Sequence, residues 1–183
     1  GTLTINSSNL KNPEARYELV KTMRASILVM GPLLAKYGKA KISQPGGCNI
    51  GARPIDFHLS GLESMGAEIT SDSKYIYLNA KNLKPIDFSF PKISVTGTEN
   101  LIMASIFTSG ITNLENCAKE PEVVDLVNFL NACGAKIEGA GTSSIMVTGI
   151  TELHEKKWNI LPDRIEAGTY LVAGAITNGH IKV

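Results

Sequence analysis

Little in this sequence points to a membrane, a metal or a polyanion. No window approaches the roughly 18 consecutive apolar residues of a bilayer span, and the opening GTLTINSSNL has no signal-peptide pattern. Eighteen Lys and Arg stand against 17 Asp and Glu, a formal net charge of +1, without the basic excess of a nucleic-acid-binding domain. Cysteine is scarce: Cys48, Cys117 and Cys133 make an odd number without metal-type pairing. Free thiols suit a reducing compartment better than a disulfide framework does. His58, His154 and His180 are scattered, and no Ser-His-Asp order, Walker loop or dinucleotide fingerprint occurs. These absences predict a cytoplasmic chain with no metal, no cofactor, no nucleic-acid partner and no membrane segment.

What the chain does have is repetition. LESMGAEI (62–69) matches LNACGAKI (130–137), and each is followed by an alternating segment, YIYLNAKNL (75–83) and SIMVTGITEL (144–153). LTINSSNL (3–10) reads as a further copy of that last strand, and ENLIMASIFTSGITNLEN (99–116) resembles EAGTYLVAGAITNGHIKV (166–183). The unit is about 70 residues of apolar helix, Gly, strand, loop, second helix, Gly-Ala, strand and strand. Helices around Leu101–Ile106 and Tyr170–Ile176 are apolar on nearly every face, as buried helices are. Segments such as KAKIS and ITNLEN alternate, as strands with one wet face do. The predicted fold is therefore an inside-out α/β arrangement, with helices in the middle and sheets outside. Val20, Met23, Ile27, Met30 and Leu34 form a core stripe on a first long helix that Pro32 should kink or end. Since the chain opens and closes in mid-repeat, it should be a fragment of a longer repeat protein.

The two full repeats differ at one place. The loop before the second helix is ENCAKE (115–120) in the later unit, but PGGCNIGAR (45–53) in the earlier one, with three glycines and a thiol. Glycines let backbone approach a ligand closely, and a Gly-rich loop feeding a helix start favours anions. Arg53 adds a planar fork suited to phosphate or carboxylate, and a neighbouring cation should lower the pKa of Cys48. Cys117 and Cys133 read as structural. His58, one turn into the following helix, reads equally well as a site residue or as a satisfied core histidine.

Taken together, YELVKTMRAS (17–26), QPGGCNIGARPIDFHLSGLESMGA (44–67), KISVTGTEN (92–100), NCAKEPEVVDL (116–126) and LPDRIEAGT (161–169) resemble the UDP-N-acetylglucosamine 1-carboxyvinyltransferases, enolpyruvyl transferases that open bacterial peptidoglycan synthesis. The resemblance runs over essentially the whole chain and implies the same inside-out fold, built of βαβαββ units. It implies transfer of the enolpyruvyl group of phosphoenolpyruvate to the 3-hydroxyl of UDP-N-acetylglucosamine, with phosphate released. Cys48 would be the proton donor and the site of a covalent adduct, on a loop that closes over substrate. Arg24, Arg53, Pro54, Ile55, Asp56, Phe57, Lys92, Ile93, Ser94 and Val95 would bind substrate.

The resemblance also implies a division of the chain. Residues 1–160 would hold two complete units plus the last strand of a preceding one, 161–164 a hinge, and 165–183 the start of a second domain. Other family groups that grip phosphoenolpyruvate, and the general base, match no position here, so the chain alone should be catalytically silent. Two alternatives remain at this level: the sister transferase acting on shikimate 3-phosphate, and a non-catalytic paralogue that binds a sugar nucleotide.

Overall fold

The computed structural model describes residues 1–8, 10, 12–20, 23–43 and 55–183. The first unit contains β1 (Glu14–Ala15), α1 (Tyr17–Val20), a 3-10 helix (Arg24–Val29), α2 (Met30–Tyr37), β2 (Lys39–Ser43), α3 (Asp56–Ser64), β3 (Glu68–Ser71) and β4 (Tyr75–Asn79). The second contains β5 (Asp87–Ser89), α4 (Val95–Ser105), β6 (Ile111–Glu115), α5 (Pro121–Ala132), β7 (Lys136–Glu138) and β8 (Ser144–Thr148), and α6 (Arg164–Ile176) follows. Each unit folds into one four-stranded sheet, ordered β1-β2-β4-β3 and β5-β6-β8-β7. In both, the first pair is parallel and the other two antiparallel. The repeat seen in the sequence is thus a repeat of topology.

The matching octapeptides explain how both units turn the same corner. Gly66 and Gly134 adopt left-handed φ values of 92° and 106°, which suit glycine at a helix C-terminus. The next amide then reaches back identically, Ala67 N–H to Leu62 O and Ala135 N–H to Leu130 O, both at 3.0 Å. Pro121 begins α5, where its missing N–H costs nothing.

Alternation sorts the strand faces. Ala40, Ile42, Ile76 and Leu78 point inward in the first sheet, and Leu114, Ile145 and Val147 in the second. The wet face of the first carries Lys41, paired to Glu14 at 2.9 Å and lying 4.1 Å from the Tyr75 ring centre. Between the sheets lies α4, with Gly97 through Ile102, Ala104 and Ser105 all buried. It packs on α2 and α3 closely enough that a Cβ at Gly31 would strike the Asn100 carbonyl, and one at Gly61 the Leu101 side chain. Helices inside and sheets outside is the arrangement expected.

Some expectations need correction. The first long helix is broken into α1, the 3-10 turn and α2. Pro32 lies in the first turn of α2, where its missing N–H breaks no helical bond. Of the stripe, Val20, Ile27, Met30 and Leu34 are buried, but Met23 is exposed. Residues 3–8 form no strand, and neither do 178–183: among the described residues neither segment has a strand to pair with, and an unpaired strand gains no ladder bonds. The apolar α6 is not enclosed: Ile165, Tyr170, Leu171, Val172 and Ile176 are all exposed. Among the described residues no second layer covers that helix.

Candidate functional site

Two helix starts meet on one side of the molecule. Ile55 precedes α3, whose first turn carries Asp56. Ser94 caps α4, its Oγ accepting from Gly97 N–H at 3.1 Å. Unpaired amides and the positive dipole end make such starts favourable to acceptor oxygens and anions. A side-chain bridge joins them, His58 Nε2 to Thr96 Oγ1 at 3.2 Å. Arg24, half-buried at the head of the 3-10 helix, lies near enough for its charge to act on His58.

Ile55, Asp56 and Phe57 therefore sit at one start, and Lys92, Ile93, Ser94 and Val95 lead into the other, with Arg24 close to the bridge between them. Lys92 and Ile93 are exposed, while Ser94 and Val95 are half-buried. Cys48, Arg53 and Pro54 lie outside the described residues. Cys117 and Cys133 are buried free thiols, and burial pushes Cys117 up to about 11, so neither is poised to react.

Beneath the bridge runs a buried polar line absent from the sequence expectations. Gly31 N–H donates to Asn100 Oδ1 at 2.7 Å, and Asn100 Nδ2 lies 2.9 Å from His58 Nδ1. His58 is 4 % exposed, and burial, helped by Arg24, lowers its pKa to about 4. It is a satisfied core histidine that also ties α3 to α4. Beside Asn100, the buried Glu99 is raised to about 7 by burial and by the charges of Glu122 and Glu120. The sequence signal for this line was the polar first half of α4, Thr96, Thr98, Glu99 and Asn100, ahead of the apolar run that starts at Leu101. Among the described residues no group of three His, Cys, Asp or Glu could hold a metal, and no helix is long and apolar enough to cross a membrane.

All of the chain, residues 1–183, matches the family described as EPSP synthase (3-phosphoshikimate 1-carboxyvinyltransferase). The chain belongs to the EPSP synthase family. Its sequence is also similar to proteins named UDP-N-acetylglucosamine 1-carboxyvinyltransferase. It is 58% identical over 180 residues to that of Koribacter versatilis, covering 98% of this chain and 42% of the relative. With that of Ruthia magnifica it shares 57% over 182 residues, covering 100% and 43%. The chain thus spans less than half the length of these relatives.

Solved structures share its architecture. The enolpyruvyl transferase NikO of Streptomyces tendae superposes with a TM-score of 0.73 at 23% identity, over 89% of this chain and 39% of that one. An EPSP synthase from Acinetobacter baumannii gives 0.57 at 20% identity, over 73% and 30%. At such identities the likeness establishes the fold alone, and it agrees with the inside-out α/β reading.

Proposed function

We propose that this chain is part of a UDP-N-acetylglucosamine 1-carboxyvinyltransferase, which moves the enolpyruvyl group of phosphoenolpyruvate to the 3-hydroxyl of UDP-N-acetylglucosamine and releases phosphate. The observation that carries the reading is the 58% identity, spread over 98% of the chain, to a protein of that name. The paired starts of α3 and α4 support it, since both sequence runs assigned to the sugar nucleotide lead into them.

The reaction is an addition followed by an elimination. A proton delivered to C3 of phosphoenolpyruvate makes C2 electrophilic, and the sugar hydroxyl adds there as it loses its own proton. Loss of a proton from C3 and departure of phosphate from C2 then restore the double bond. In this reading Cys48 delivers the proton to C3 and can itself add to C2. A thiol in that role needs a pKa near working pH, and Arg53, five residues on, would lower it while gripping phosphate. Arg24, Pro54, Ile55, Asp56, Phe57, Lys92, Ile93, Ser94 and Val95 hold the sugar nucleotide. Residues 1–160 belong to the Cys-loop domain, 161–164 to a hinge and 165–183 to a second domain. The uncovered apolar face of α6 supports that division. The setting is the cytoplasm, in keeping with two buried free thiols.

Catalysis of this kind depends on holding both substrates in register, and the chain spans 42% of its relative. The chain alone should therefore bind sugar nucleotide without turnover. Calorimetry with UDP-N-acetylglucosamine and with shikimate 3-phosphate, alongside phosphate release from phosphoenolpyruvate, tests this. Heat of binding with the sugar nucleotide alone and no phosphate is the expected result. Binding of shikimate 3-phosphate instead would overturn the proposed acceptor, and turnover would overturn the need for further residues.

A further inference from the structure

We infer that Asn100 and His58 are positioning residues that hold the Thr96 hydroxyl as a hydrogen-bond donor, aimed at an acceptor oxygen of a ligand seated between the starts of α3 and α4. The ligand half of this inference rests on the sugar-nucleotide reading. The orientation of the line does not.

That orientation follows from one atom that cannot reverse its role. A backbone N–H only donates, so the Asn100 atom 2.7 Å from Gly31 N is the amide oxygen. The amide nitrogen is then the atom 2.9 Å from His58 Nδ1. An amide nitrogen carries two protons and accepts none, so Nδ1 must present a lone pair. A neutral imidazole with a bare Nδ1 carries its proton on Nε2, which donates to Thr96 Oγ1 at 3.2 Å. An imidazolium would set Nδ1–H against the Asn100 N–H. The charged group acting on His58, Arg24, opposes that form as well.

The line thus runs outward with one polarity, from Gly31 through Asn100 and His58 to Thr96. Its inner members are buried, Asn100 fully and His58 to 4 % exposure, while Thr96 is half-buried. With an acceptor site of Thr96 Oγ1 occupied by His58, its O–H is left to donate, and no described residue accepts it. Ser94, the other hydroxyl at this helix start, is already spent on Gly97 N–H. A sugar nucleotide offers acceptor oxygens of one kind from two sources, its diphosphate and its sugar. A hydroxyl held by a rigid line recognises either without paying for its own orientation.

The test uses the 183-residue chain. Nitrogen-15 NMR of the histidines should show the signals lost in His58→Gln as a neutral imidazole protonated at Nε2, from pH about 8 to about 5. In Asn100→Asp the donor facing Nδ1 becomes an acceptor, so His58 should take a proton on Nδ1. A merely structural asparagine would leave the tautomer unchanged. Thr96 variants read the outer end of the line, and because Thr96→Val also takes the acceptor from His58 Nε2–H, the same histidine spectra check that its core and tautomer are kept. Thr96→Ser should bind UDP-N-acetylglucosamine within about twofold of the parent, and Thr96→Val about three- to tenfold more weakly, the worth of one net hydrogen bond. An equal loss for UDP assigns the acceptor to the diphosphate, and a loss confined to UDP-N-acetylglucosamine assigns it to the sugar. Protonation of wild-type His58 on Nδ1 would overturn the line. Unaltered binding by Thr96→Val would overturn the role of its hydroxyl. Failure of the wild-type chain to bind, with the expected tautomer present, would overturn the sugar-nucleotide reading and the ligand half alone.

Discussion

Replacing Glu99 by Gln should make this chain acid-sensitive, and replacing His58 by Gln should do the reverse. Both groups are buried, His58 on α3 and Glu99 on α4, and burial moves them in opposite directions. Glu99 rises from 4.5 to about 7, so the folded chain holds a proton there that the unfolded chain has released. Its stabilising contribution is complete below pH 4.5 and is lost as pH rises through about 7. His58 falls from 6.5 to about 4, so the unfolded chain takes up the proton first. Its contribution is complete above pH 6.5 and is lost as pH falls toward about 4. Each displacement, at 1.36 kcal/mol per pH unit, amounts to about 3 kcal/mol. Between pH 6.5 and 4.5 the two slopes cancel. Glu14, Asp72 and Glu122, all held below their ordinary values, act at the acid end of this window and below it. Wild-type stability should therefore be nearly level on acidification from pH about 7 to about 4.5. Over the same interval Glu99→Gln should lose about 2–3 kcal/mol and His58→Gln should gain about as much. Urea unfolding reads this directly: with a slope of about 2 kcal/mol per molar, midpoints move by about 1–1.5 M. Parallel pH profiles for all three proteins would refute the reasoning, because they would mean that neither side chain is desolvated in the fold.

Other perturbations test separate parts of the structure. Gly31→Ala should destabilise by about 1–3 kcal/mol through overpacking, since its methyl meets the Asn100 carbonyl, which cannot move aside. Gly61→Ala should cost less, because it meets the rotatable side chain of Leu101; thermal unfolding compares the two. Arg164→Ala removes a pair with Glu122 at 2.8 Å, but both partners are solvent-accessible, so unfolding stability should drop by less than about 1 kcal/mol. Thiol titration of the native chain should find Cys117 slow to react until denaturant is added, given its burial and a pKa pushed to about 11. Fast Cys117 modification would contradict the packing under β6.

By itself the sequence determined whatever depends on local pattern. The duplicated octapeptides announced two units because a left-handed residue after each helix is a property of Gly66 and Gly134 and their neighbours. Alternation in KAKIS and ITNLEN sorted inner from outer faces, and the all-round apolar character of the segment around Leu101–Ile106 placed that helix inside. The same pattern misjudged α6 around Tyr170, because periodicity reports which faces prefer burial and says nothing of whether a partner covers them. It joined α1, the 3-10 turn and α2 into one helix for a similar reason: an apolar stripe is blind to a backbone break. His58 stood open between two readings until the fold put Asn100 against it. Only the tertiary structure decided that, since Gly31, His58 and Asn100 lie far apart in the chain and meet through the close crossing of α2 and α3 on α4. The opposed titrations of Glu99 and His58 have the same origin, because desolvation is a property of the assembled core and belongs to neither residue alone.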